Sequence, residues 1–232
     1  MAFDLALRKR LSNLNFGAGM NGLVTQCGMA AQAQAAAGFT LGTEARWWEN
    51  GNLLDSHNGV SRTTSNVTIS AETLGPFTGW VQPSRSYNTL SMVSSISGFS
   101  FSDYTIFGVW KNPTSSGTRA VFATDSFNNG DVITENSASY RYMLASGPNS
   151  YSGHGGTDHS YVLTRGGGVG RIYIDGVLQP VVEGASPPST IYRVWNCQFT
   201  QFYLFGVDTK SWSADDVAFF HNSGSYRDYA SI

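Results

Sequence analysis

The stretch RIYIDGVLQ, residues 171–179, carries the pattern of a β-hairpin. Ile172 and Ile174 recur with the two-residue period of a strand that buries one face. Asp175-Gly176 follows directly, and this pair favours a type I′ turn because both residues tolerate positive φ. The stretch therefore predicts two antiparallel strands joined by a two-residue turn.

Short β-like runs of the same kind fill the chain from about residue 44. They are separated by Gly, Asn, Ser and Pro, and they include NVTIS, YTIFGVW, RAVFA, YRYMLA, SYVLT, YRVWN and QFYLFGV. Runs at such close intervals indicate an antiparallel sandwich or barrel, and we predict an all-β, two-sheet antiparallel sandwich over residues 44–228. Five residues are expected in its core: Trp110, Ile172, Ile174, Leu204 and Val217.

Three longer segments follow one another in an order that resembles a known family. They are SDYTIFGVWKNPTSSGTRAVFA, DHSYVLTRGGGVGRIYIDGVLQP and FYLFGVDTKSWSADDVAFFHNSG. Together they resemble the laminin G-like branch of the concanavalin A-like lectin and glucanase superfamily, which implies a jelly-roll sandwich. The sequence departs from the family pattern at residues 158–161 and at Trp212, so no binding site is carried over from the family.

Helical patterns flank the predicted sandwich at both ends. At the beginning, the apolar residues Phe3, Leu7, Leu11 and Leu14 recur at helical spacing. An alanine-rich stretch follows, and we interpret residues 1–43 as a short helical or extended anchoring segment and residues 44–232 as the sandwich domain.

The stretch SWSADDVAFFHNSG near the end predicts a small closing helix. Ser213 stands three residues before Asp216, the spacing of a capping box. Val217 and Phe220 supply an apolar pair, and Gly224 marks the end of the helix.

Catalytic motifs are absent from the sequence. Glucanases of the superfamily carry an E-x-D-x-E arrangement of carboxylates, and no such run occurs here. The nearest spacing joins Asp131 and Glu135 in GDVITEN, which we interpret as a surface strand edge. A G-x-S-x-G motif is also missing. We therefore predict that the protein is not an enzyme, with a glycoside hydrolase as the less favoured alternative.

Two loops carry residues that bind metals in other proteins. The stretch DSFNNGD offers oxygen ligands of the calcium type from Asp125, Asn128 and Asp131, and the family resemblance implies calcium at loop tips. A plain Asn-Gly turn remains the alternative there. The stretch GHGGTDH contains His154, Asp158 and His159, which could ligate a metal. Loop histidines that face solvent are the alternative. No other cofactor is predicted.

Aromatic residues near loops are candidates for stacking on sugar rings. Trp80, between Gly79 and a Pro-containing stretch, and Tyr151, beside His154 in the loop NSYSGHGG, are predicted to contact carbohydrate if they are exposed. Packing is the alternative for each. Trp47 and Trp48 are consecutive, so in a strand they face opposite sides and at most one is expected in the core.

Composition narrows the partners of the protein. The formal net charge of the 232 residues is −2, so nucleic acid is not an expected partner. No run of about 18 apolar residues occurs, and the first residues lack the order of a secretory signal.

A lectin-type sandwich with a helical appendage and without an export signal resembles a bacteriophage virion protein. We expect a structural protein of the virion exterior, docked through residues 1–43 to other virion proteins or to its own copies, that binds glycans. A soluble carbohydrate-binding or adhesion module is the alternative.

Overall fold

A computed structural model describes most of the predicted sandwich, namely residues 38–52, 54–60, 68–81, 99–111, 118–124, 130–136, 139–152, 156–189, 191–196 and 201–232. The chain divides into two compact units, Met1–Phe39 and Thr40–Ile232. The architecture that follows belongs to the second unit. The predicted helix with Phe3, Leu7, Leu11 and Leu14 lies outside the described residues.

Thirteen strands and one α-helix are formed by the described residues. In chain order they are β1 (Arg46–Glu49), β2 (Thr68–Leu74), β3 (Phe77–Val81), β4 (Tyr104–Lys111), β5 (Thr118–Thr124), β6 (Val132–Asn136), β7 (Ser139–Met143), β8 (Ser150–Ser152), β9 (Asp158–Gly166), β10 (Val169–Ile174), β11 (Val177–Leu178), β12 (Ile191–Asn196), β13 (Gln201–Asp208) and α1 (Ala214–His221).

The strands form two antiparallel sheets. The first sheet has the order β11-β10-β9-β4-β13-β3-β2, with β1 also paired to β13. The second sheet has the order β12-β5-β6-β7-β8. The predicted two-sheet antiparallel sandwich with a small C-terminal helix is thus confirmed. In the described part of the chain, no helix is both long and apolar enough to cross a membrane.

The predicted hairpin is present at one edge of the first sheet. Its two strands pair Ile174 with Val177, and the turn between them consists of Asp175 and Gly176. Both turn residues have positive φ, 51° for Asp175 and 73° for Gly176, as a type I′ turn requires. The sequence rule for this turn therefore holds.

Aromatic rings from the inner faces of the sheets form most of the core. Trp110 stacks on Tyr161 with ring centroids 4.2 Å apart, and Trp80 stacks on Phe202 at 5.0 Å. Phe122 of the second sheet packs in the same cluster. The five residues that were predicted to be buried are all buried, which confirms the register of the sequence reading: Trp110, Ile172, Ile174, Leu204 and Val217.

The expectation that at most one of Trp47 and Trp48 lies in the core is wrong, because both are buried. Trp48 points between the sheets and joins the inner core cluster. Trp47 points to the opposite face of the first sheet, where its ring lies 5.0 Å from Phe107 and 5.9 Å from Phe220 of α1. The C-terminal helix thus covers this outer face and creates a second apolar layer.

The closing helix begins as the sequence predicts. The Ser213 hydroxyl accepts a hydrogen bond from the Asp216 amide, and the Asp216 carboxylate accepts one from the Ser213 amide. The helix ends at His221, where Asn222 adopts a left-handed conformation, two residues before the predicted stop at Gly224. Asn tolerates that conformation, and it therefore ends the helix earlier.

A buried ion pair joins the two sheets at the end of the first sheet where β4 begins. Arg165 of β9 donates from Nε and Nη2 to both oxygens of Asp131, at 2.8 and 2.6 Å, and both side chains are 0% exposed. Asp131 also accepts hydrogen bonds from the Tyr104 hydroxyl and the Ala145 amide, and Arg165 donates to Glu183. The interpretation of Asp131 as a surface strand edge is therefore wrong, since the residue turns inward to meet a buried guanidinium.

Candidate functional site

Of the residues predicted to contact sugar, only Trp80 has a described side chain. Trp80 is 0% exposed because β3 pairs with β13 and directs the ring between the sheets, so the expectation of an exposed ring is wrong. Tyr151 lies in β8 opposite Arg141, and its side chain is outside the described set. His154 also lies outside the described residues.

Of the predicted calcium ligands, only Asp131 is described. Both of its carboxylate oxygens are occupied by the buried hydrogen bonds to Arg165 and Tyr104. Asp125 and Asn128 lie outside the described residues, so calcium binding at that loop stays a prediction. Within the described ranges, no group of three or more His, Cys, Asp or Glu side chains could hold a metal ion.

A cluster of ionisable and hydroxyl side chains occupies the other end of the first sheet, where β4 ends at Lys111 and β9 begins at Asp158. Its members are Thr157, His159, Ser160, Asp175 and His221, and we call it the His–Asp cluster. Its first member, Thr157, directly follows the loop NSYSGHGG, in which Tyr151 and His154 were considered for sugar contact.

The β10–β11 turn brings Asp175 to the start of β9. The Asp175 amide donates to the Ser160 carbonyl at 3.0 Å, and the Ser160 amide donates to Asp175 Oδ1 at 3.0 Å. Asp175 Oδ2 lies 2.5 Å from Nδ1 of His159. The carboxylate therefore bridges the backbone of β9 and the imidazole that follows Asp158.

Two further hydrogen bonds extend the cluster in opposite directions. Nε2 of His159 lies 2.7 Å from the hydroxyl of Thr157, an exposed residue. The Ser160 hydroxyl lies 3.0 Å from Nδ1 of His221, the last residue of α1. In the neutral tautomer that carries its proton on Nδ1, His159 donates to Asp175 and accepts at Nε2, so the tautomer that suits the carboxylate also suits a donating hydroxyl group at the surface.

Burial and neighbouring groups shift the pKa values of two members of the cluster, Asp175 and His221. Burial alone would raise the pKa of Asp175, but the hydrogen bonds from His159 and from the Ser160 amide outweigh it, and the pKa lies below its ordinary value. Burial lowers the pKa of His221, with the Asp175 charge acting in the opposite direction. At neutral pH the cluster thus contains an ionised carboxylate and a neutral His221.

A second polar group adjoins the His–Asp cluster on the outer face of the first sheet. The Tyr203 hydroxyl donates to Glu72 Oε2 at 3.3 Å, and Lys111 Nζ lies 3.2 Å from the same oxygen. Burial raises the pKa of Tyr203, and so does the negative charge of Asp158. Burial, Asp175 and Asp158 also raise the pKa of Tyr226, to about 12. We call Glu72, Lys111, Asp158, Tyr203 and Tyr226 the tyrosine–carboxylate group.

The sequence reading overlooked most of these residues. It treated Asp175 as a turn residue only, whereas the pairing of β10 with β9 places residue 175 beside the start of β9. In the structure Ile174 pairs with Tyr161, so Asp175 lies level with Ser160. No local pattern links His221 or Tyr203 to this end of the sheet, because their positions depend on the complete topology.

The His–Asp cluster and the tyrosine–carboxylate group can both form hydrogen bonds with the hydroxyl groups of a ligand. Carboxylate oxygens, an imidazole nitrogen and hydroxyl groups accept or exchange hydrogen bonds with hydroxyl-bearing ligands. The side chains of Glu72 and Asp175 are 52% and 33% exposed, so the carboxylates are within reach of solvent molecules and small ligands.

Comparison with solved structures shows the sandwich fold. A Trypanosoma rangeli sialidase in complex with the inhibitor DANA matches with a TM-score of 0.53 and 14% identity, over 76% of this chain and 32% of that chain. The receptor binding domain of botulinum neurotoxin type G matches with a TM-score of 0.52 and 13% identity, over 76% of this chain and 50% of that chain. The chain thus spans about a third to a half of these neighbours.

Searches by sequence give no relatives. No family model matches the chain, and no curated protein matches it. The identities to the structural neighbours are low, so the likeness concerns the fold. The resemblance to laminin G-like domains stays a prediction at the level of the family.

Proposed function

We propose that the protein is a non-catalytic, glycan-binding β-sandwich module whose site is formed by the His–Asp cluster and the adjoining tyrosine–carboxylate group. The observation that carries this proposal is the partly exposed chain of hydrogen bonds from Asp175 through His159 to Thr157. Such convergent polar groups fix the orientation of polyhydroxylated ligands in binding sites.

The fold neighbours are compatible with this function. One of them is named as a receptor binding domain, and another was solved with a sialidase inhibitor. Binding is favoured over glycan cleavage because the sequence lacks the E-x-D-x-E run of the superfamily's glucanases. Glycan hydrolysis is the second candidate, because the proposed site contains carboxylates.

A panel of immobilised glycans, probed with the full-length chain, tests the proposal. We expect binding to a restricted set of glycans, and at least a tenfold loss of affinity in the variant His159→Gln, which keeps the size of the side chain but changes its hydrogen-bonding pattern. Binding to no glycan, or undiminished binding by the variant, would overturn the proposal. Release of reducing ends from a bound polysaccharide would show that the protein hydrolyses glycans instead of only binding them.

The proposed biological setting is the exterior of a virion, with assembly in the host cytoplasm. In this setting, residues 1–43 dock the sandwich onto other virion proteins or onto further copies of the chain. The proposal is supported by an apolar stripe at helical spacing, formed by Phe3, Leu7, Leu11 and Leu14. A helix of this length is too short to be stable alone in water, so it needs a partner surface. The alternative setting is a soluble adhesion module.

A truncated chain that lacks residues 1–38 separates the two settings. For a virion protein, light scattering after size-exclusion chromatography would show an assembly for the full-length chain and a folded monomer for the truncated chain, and labelled full-length protein would be found on native particles. A full-length chain that is monomeric and absent from particles would favour the soluble module.

A further inference from the structure

We infer that the glycan-binding site prefers ligands without acidic groups, so that neutral and amino-substituted glycans are bound more tightly than sialylated or sulfated glycans. The inference rests on the proposed function and deepens it. It comes from the balance of charges at the Lys111 end of the first sheet.

Three carboxylates face this region from separate strands and a turn. Glu72 lies on β2, Asp158 begins β9, and Asp175 lies in the β10–β11 turn. Asp158 lies opposite Lys111 in the β4–β9 ladder, Lys111 Nζ contacts Glu72, and Asp175 contacts His159, the residue after Asp158. Among the residues described at this end, the three carboxylates outnumber the two permanent cations, Lys111 and Arg227, so a net negative charge is left.

The basic side chains described at this end are engaged with partners of their own. Lys111 Nζ lies 3.2 Å from Glu72 Oε2, and Nδ1 of His159 lies 2.5 Å from Asp175 Oδ2. Arg227 donates to the Phe219 carbonyl at 2.9 Å, and its guanidinium lies over the Phe219 ring. An anionic ligand would have to displace one of these contacts to gain a cationic partner.

The carboxylates at this end also act on two tyrosine hydroxyls. After burial, the causes that raise the pKa of Tyr203 are the carboxylates of Asp158 and Glu72, and those that raise the pKa of Tyr226 are Asp175 and Asp158. A negative potential makes a second negative charge unfavourable at both positions. The same carboxylates repel the carboxylate of an acidic sugar.

A charge-matched glycan panel tests the inference with the full-length chain. The probes are lactose and 3′-sialyllactose, neutral oligosaccharides and their sulfated derivatives, and N-acetylglucosamine hexamer with its de-N-acetylated glucosamine hexamer. One net negative charge close to the ligand in a largely aqueous setting predicts roughly a fivefold weaker affinity for an acidic member than for its neutral parent. The ratio should shrink as salt screens the charges.

The variant Asp175→Asn sharpens the test because Asn-Gly also suits the type I′ turn, so the hairpin is retained. It should reduce discrimination against acidic members about threefold. Asp103→Asn is the matched control, since Asp103 accepts a hydrogen bond from the Gly167 amide at the opposite end of the sheet. This control should discriminate as the wild type does.

Two results would overturn the inference in different ways. Acidic glycans bound as tightly as their neutral parents, or discrimination unchanged by Asp175→Asn, would refute the charge selection while leaving glycan binding intact. Binding to no member of the panel would refute the proposed function and the inference together.

Discussion

Replacing Arg165 by Met is expected to destabilise the sandwich far more than breaking an exposed ion pair of the same charge type. Arg165 and Asp131 are both 0% exposed, and the guanidinium makes two hydrogen bonds to that carboxylate. Met retains much of the side-chain volume and removes the charge. The carboxylate of Asp131 then stays buried with only the Tyr104 hydroxyl and the Ala145 amide as donors.

The magnitude follows from the cost of a buried charge that has lost its partner. Removing one member of a buried pair typically costs about 3–5 kcal/mol. The matched control is Lys111→Met, which breaks a pair of 3.2 Å whose side chains are 34% and 52% exposed. Solvent screens such a pair, so its loss should cost no more than about 1 kcal/mol.

Urea unfolding of both variants, followed by tryptophan fluorescence, measures the difference. A third variant that combines Arg165→Met with Asp131→Leu removes both charges and should recover part of the lost stability, because buried pairs can often be replaced by apolar residues. The reasoning is refuted if Arg165→Met costs no more than Lys111→Met, since the charge would then be hydrated in the native state.

The remaining predictions concern the outer layer, the helix start and the response to pH. Trp47→Ala should cost about 3–5 kcal/mol because it removes a ring packed under α1, whereas Leu54→Ala, at a side chain that is 56% exposed, should change stability by less than about 0.5 kcal/mol in the same urea titration. Ser213→Ala should cost about 1 kcal/mol through loss of the capping box, with the exposed Ser225→Ala as its control in thermal unfolding. Because burial lowers the pKa of His221 below its ordinary value of 6.5, the unfolded chain takes up a proton first as the pH falls, so stability should decline below about pH 6.5. The variant His221→Gln should flatten that decline, and an unchanged pH profile would show that the residue is hydrated.

Local sequence patterns were sufficient for the features that depend on neighbouring residues. The Asp175-Gly176 turn and the Ser213 cap depend on a few adjacent side chains and on backbone preferences, and both are present as predicted. The alternation of Ile172 and Ile174 identified the inner face of β10 for the same reason.

Features that depend on distant partners could not be predicted in this way. Trp47 is buried by a helix that follows it by about 170 residues in the chain, so its own strand gives no sign that the outer face is covered. Asp131 precedes a strand in a polar stretch, and only the packing of the two sheets against each other brings Arg165 close to it. The His–Asp cluster likewise combines the start of β9, the β10–β11 turn and the end of α1.

The most direct test of a glycan site at the His–Asp cluster is NMR of the histidine side chains during titration with a glycan identified on the panel. The chain has four histidines, so the ring signals can be assigned by single substitutions. His159 and His221 belong to the cluster, whereas His57 lies near the opposite end of the first sheet, within hydrogen-bond distance of the Gly42 carbonyl and the Tyr229 hydroxyl. We predict that saturating glycan shifts the His159 and His221 signals and leaves those of His57 unchanged. Saturation without a change at His159 and His221 would contradict the assignment of the site.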